Sequence, residues 1–156
     1  MKIKGKRLES TNEVTIVLPR YNSEDIIFKA KVVLDYPNLD KLLTKPEAPS
    51  ILKRGKQEKD FKDAGYITQI QKNYEYRLNY MVLLSLAATE GLEWETVDLE
   101  KPETWENWET ELKESGIPNS EIIYIFNKVQ EVNSLDQDKL DEARERFLLT
   151  QLALGK

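Results

Sequence analysis

The chain reads as an α+β protein, an N-terminal antiparallel β hairpin or small three-stranded sheet followed by a mainly α-helical body of about four helices. Three observations predict this. Apolar residues alternate with a period of two only before residue 36, and they recur at helical spacing only after residue 63. Between these regions Pro37, Pro46, Pro49 and Gly55 interrupt any long element. The 156 residues therefore divide into a β-rich region at 1–36, an irregular basic connector at 37–62 and a helical body at 63–156. This length suits one compact unit.

In Val14 to Leu18, the residues Val14, Ile16 and Leu18 share one face. From Asp25 to Leu34 the shared face is Phe28, Ala30, Val32 and Leu34, with Lys29 and Lys31 opposite. The turn-rich run from Pro19 to Glu24 joins the two as a hairpin, and Lys2 to Leu8 is a possible third strand. The connector is expected to hold at most one helical turn, at Asp40 to Leu43, and a solvated basic loop around Lys53-Arg54-Gly55-Lys56.

The spacing of Ile67, Ile70, Tyr74, Leu78, Met81 and Ala88 predicts a central helix from Ala64 to about Thr89, stopped by Gly91. Leu92 to Lys101 reads as an extended cover on the helices. Pro102 opens a helix to about Ser115 with Trp105, Trp108 and Leu112 in one stripe. Pro118-Asn119-Ser120-Glu121 opens another, with Ile122, Ile125, Phe126 and Val129 inward and Ile123 and Tyr124 on its flank. Ser134 or Asp136 caps the last helix, on which Leu140, Ala143, Phe147 and Leu148 are expected to face the core.

Composition narrows function before any motif is considered. The chain has neither cysteine nor histidine, which removes disulfides, thiolate chemistry, the usual neutral-pH base and the commonest zinc ligand. Walker, Rossmann and zinc-finger spacings do not occur. Asp136, Asp138 and Asp141 suggest helix capping more than calcium, because the EF-hand glycine and glutamate are missing. The expectation is a binding protein with no catalytic residue, cofactor or metal, no membrane segment and a cytosolic location.

Charge is unevenly placed. Residues 1–62 hold 14 Lys and Arg against 9 Asp and Glu, whereas the remainder holds 9 against 19. Between Glu90 and Glu121 there are 11 acids and only Lys101 and Lys113. Such a band repels nucleic acid and keeps a protein dispersed, and it also suits a basic or aggregation-prone partner. Trp94, Trp105 and Trp108 lie inside it, so the candidate partner-binding residues are Trp94, Trp105, Trp108, Glu106, Glu109, Ile123 and Tyr124. The competing structural reading is that the tryptophans close one end of the helical core.

The runs Leu92-Glu93-Trp94-Glu95-Thr96-Val97-Asp98-Leu99, Pro102-Glu103-Thr104-Trp105 and Asn107-Trp108-Glu109 resemble the tail assembly chaperones of tailed bacteriophages. Leu18-Pro19-Arg20, Val132-Asn133-Ser134-Leu135-Asp136 and Glu142 to Leu148 fit the same pattern, so the likeness spans most of the chain. The resemblance implies a non-enzymatic protein of the host bacterial cytoplasm. It would bind the phage tape measure protein, tail tube subunits or both during virion assembly, with self-association possible. Two other roles suit the composition: a structural virion component, such as a minor tail or head-to-tail connector protein, and an acidic inhibitor of a host DNA-binding protein.

Overall fold

A computed structural model describes residues 1–8, 12–133 and 137–155. The fold is α+β, with short antiparallel hairpins followed by a helical body. Its centre is the hairpin of β3 (Glu13–Leu18) and β4 (Ile26–Lys31), paired from Glu13 with Lys31 to Leu18 with Ile26. Alternation puts Ile16, Leu18, Phe28 and Ala30 on one buried face. Leu34 falls beyond the end of β4 and is exposed, so the second strand is shorter than its alternation implies.

No three-stranded sheet forms among the described residues. The N-terminal segment folds on itself, β1 (Lys2–Ile3) pairing with β2 (Lys6–Arg7) as a separate ribbon. The connector is also more ordered than its prolines suggest. It contains α1 (Leu39–Leu42) and a ribbon of β5 (Ser50–Lys53) and β6 (Lys56–Lys59). Arg54 and Gly55, at φ 53° and 76°, turn this ribbon in two residues, the left-handed geometry that tight hairpins need and glycine supplies cheaply. Leu39, Leu43 and Ala48 anchor the connector in buried positions.

The long helix α2 (Ala64–Leu86) is capped by Asp63, whose carboxylate accepts the Tyr66 N–H at 2.9 Å. Only its C-terminal half enters the core, through Tyr80, Val82, Leu83, Ser85 and Leu86. Ile67, Ile70 and Tyr74 continue the same periodicity but remain exposed. The predicted helix after Pro102 is split into a single 3-10 turn (Pro102–Thr104) and α3 (Asn107–Glu114). It is followed by α4 (Asn119–Asn133), which buries Ile122, Ile125, Val129 and Val132 against the hairpin and α2.

The β3–β4 hairpin is fastened to the helices by polar contacts as well as by packing. Arg20, after β3, makes a two-pronged ion pair with Glu121 of α4 at 2.9 and 2.7 Å. Thr89, beyond α2, uses its hydroxyl to accept the Lys29 N–H and donate to the Lys29 carbonyl, which satisfies part of the β4 edge. The hairpin region and the helical body thus share one core.

The last helix, α5 (Gln137–Leu154), departs from expectation. Ala143, Phe147 and Leu148 do not face the core; all three are exposed, as are Leu149, Leu152 and Leu154. The body has already closed its apolar faces with α2, α3, α4 and the hairpin, leaving α5 without a stripe to cover. The proposed caps Ser134 and Asp136 lie outside the described residues, as do the side chains of Leu140 and Asp138.

Candidate functional site

The acidic aromatic segment folds as a loop and short helix braced against α2. Trp105 is fully buried, stacks on Tyr80 with ring centroids 4.4 Å apart and donates its indole N–H to the Leu99 carbonyl at 3.2 Å. Trp108 is 1% exposed and donates its indole N–H to Asn79 Oδ1 at 2.9 Å. Both indoles have their polar edge satisfied and almost no surface to offer. Trp105 and Trp108 are therefore core side chains in this fold, which corrects their assignment to a partner-facing surface. Trp94 is half-buried and packs at the margin of the same core.

The remaining candidates do reach the surface, in two places. Glu106 and Glu109 are exposed and stand with Glu75 around a groove between α2, α3 and α4. The groove encloses about 410 Å³, and Leu78, Trp108 and Phe126 also line it. Glu109 also reaches Lys113 one turn on, at 4.0 Å. Ile123 and Tyr124 are exposed on the outer flank of α4, where the Lys128 ammonium lies 5.6 Å from the Tyr124 ring centre. A second hollow, of about 510 Å³, lies between the connector and α2 and mixes Lys45 and Lys72 with Glu47, so it has no strong charge preference.

Glu111 fastens the acidic loop before the 3-10 turn to α3. Its carboxylate accepts the Glu95 N–H at 2.6 Å, the Thr96 N–H at 3.2 Å and the Thr96 hydroxyl at 2.8 Å, tying the loop that carries Trp94 to α3. Burial pushes the Glu111 carboxyl up, but these donors, with the Val97 N–H, outweigh it and hold the group below its ordinary value. Glu121 is lowered too, chiefly by its hydrogen bond from Arg20. A depressed folded-state carboxyl stabilises the fold above its unfolded value, about 4.3, and that contribution is lost as pH falls through the lower folded value. Thermal midpoints should therefore fall progressively below about pH 4.5. Glu111→Gln should cost roughly 1 kcal/mol at neutral pH, since an amide puts N–H groups against N–H donors, and should flatten part of the acid dependence. Equal acid dependence in wild type and variant would remove Glu111 from this role.

Among the described residues no group of three or more carboxylates is placed to hold a metal ion, and no helix is long and apolar enough to cross a membrane. No protein-family model, curated protein or solved structure matches the chain.

Glu106 and Glu109 stand out within the acidic segment of the sequence, whereas Glu75, Leu78 and Phe126 complete the groove from two other helices. For Glu75 the only signal was its position one turn before Asn79, too common a pattern to select it.

Proposed function

We propose that the chain is a non-enzymatic tail assembly chaperone that covers apolar helices of a phage tape measure protein, tail tube subunits or both, in the host bacterial cytoplasm. The observation that carries this reading is α5. Phe147, Leu148, Leu149, Leu152 and Leu154 all stay exposed on one 18-residue helix, a concentration of uncovered apolar side chains that supports an interaction role. A helical client with exposed apolar stripes fits it by helix-against-helix docking. Ile67, Ile70 and Tyr74 of α2 and Ile123 and Tyr124 of α4 are exposed as well, and Glu106 and Glu109 are exposed acids near the half-buried Trp94 in sequence.

A structural virion component is the second reading, favoured by the β5–β6 ribbon, whose strands are exposed throughout and whose outer edges remain open to another chain.

Co-expression with a tape measure protein, followed by size-exclusion chromatography, separates the two. The chaperone reading expects the client to become soluble and co-elute, and Leu148→Glu with Leu152→Glu to abolish co-elution while leaving the thermal midpoint within about 2 °C, since both side chains are exposed. Equal client solubility without the chain, together with its presence in purified particles, would establish the structural reading instead.

A further inference from the structure

The β5–β6 ribbon is a cationic finger. Every residue of its strands is exposed, and at its tip Lys53 pairs directly across from Lys56 beside Arg54. Like charges placed opposite one another on a ribbon repel, and an incoming carboxylate relieves them. These three cations share a hollow with only Glu58 as a counter-charge. The structure also contains a receptor of opposite sign, the groove of Glu75, Glu106 and Glu109 with Leu78 and Phe126 among its apolar lining. Leu52, next to the tip and 77% exposed, supplies an apolar group for such a lining.

Within one chain the two do not meet. Among the described residues no salt bridge joins Lys53, Arg54 or Lys56 to Glu75, Glu106 or Glu109, and the hollow at the tip shares no lining residue with the groove. A second copy can supply the contact that one chain does not make. We propose that the β5–β6 tip of one copy docks in the α2–α3–α4 groove of the next, joining copies head to tail. Two different surfaces meet, so the contact propagates into a ring or an open chain. Charge complementarity makes it strong at low salt and weak when screened. The inference does not depend on the identity of any client.

The test uses the full chain in sedimentation velocity at about 50 mM and about 0.5 M salt. Wild type should form concentration-dependent oligomers at low salt, with association weakened roughly tenfold or more at high salt. A tip variant, Lys53→Ala with Arg54→Ala and Lys56→Ala, and a groove variant, Glu106→Gln with Glu109→Gln, should each be monomeric at low salt. Mixed together they should form a species of two copies and no larger, because one intact tip meets one intact groove. A monomeric wild type at low salt overturns the proposal, as does an oligomer unchanged by salt or by either variant. Oligomers that vanish on nuclease treatment would also overturn it, since the ribbon would then be holding nucleic acid.

Discussion

Trp105→Ala is expected to lower stability by about 3 to 5 kcal/mol, the largest effect of any single substitution considered for this chain. The indole is fully buried, stacked on Tyr80 and hydrogen-bonded to the Leu99 carbonyl. Its removal opens a cavity at the joint between α2, the 3-10 turn and the loop that precedes it, and leaves a carbonyl without its donor. A domain of this size typically holds 5 to 15 kcal/mol in all, so the variant should unfold on the order of 10 °C below wild type in a thermal scan. Trp105→Phe keeps much of the volume but loses the N–H, and should lie between the two. A Trp105→Ala midpoint within about 2 °C of wild type would mean that this indole is not the core residue its burial implies.

Asn133→Ala should cost roughly 2 to 3 kcal/mol, because one side chain closes a network linking three elements. Asn133 Oδ1 accepts the Val33 N–H at 2.7 Å, and its amide donates to the Ser85 hydroxyl at 3.2 Å and to the Val129 carbonyl at 2.8 Å. Ser85 is fully buried in α2 and passes its own proton to the Lys31 carbonyl at 2.8 Å. Truncating Asn133 strands the Val33 donor at the end of the central hairpin, and truncating Ser85 strands the Lys31 acceptor. The double variant should lose less than the sum of the single variants, by at least about 0.5 kcal/mol, since the two groups share a hydrogen bond. Chemical denaturation of the four proteins measures the coupling, and strict additivity would show that the two side chains act separately.

Several elements were legible from local pattern alone. Ile16 and Leu18 on β3, and Phe28 and Ala30 on β4, alternate with solvent-facing neighbours, and the core took the alternating face. The inward stripe of α4 followed its helical spacing in the same way for Ile122, Ile125 and Val129, with Ile123 and Tyr124 on the flank. The β5–β6 ribbon was not legible. Lys56-Gln57-Glu58-Lys59 has no apolar period, and the ribbon depends on an Arg54-Gly55 turn rather than on burial.

The candidate site shows where such reading stops. The residues of the acidic aromatic segment were visible as a cluster in the chain, but which of them face solvent depended on packing. Trp105 and Trp108 turned inward because Tyr80 and Asn79 of α2 offered a ring and an acceptor, whereas Glu106 and Glu109, each one position further on, were left on the rim. No spacing within the segment records the presence of Asn79 on another helix.

What the amino-acid order determined by itself is the α+β class, the central hairpin, the placing of the helices and the charge division of the chain. Each rests on neighbours in sequence, through strand alternation, helical periodicity, capping and breaking residues. What the tertiary structure decided is which apolar stripes found a partner. Helical periodicity states that a face is apolar, but whether a covering surface remains depends on how much of the core other elements have already filled. In this fold α2, α3, α4, the hairpin and the segments that carry Leu39, Leu43 and Trp105 close it, and the apolar residues of α5 and of the first half of α2 remain on the outside.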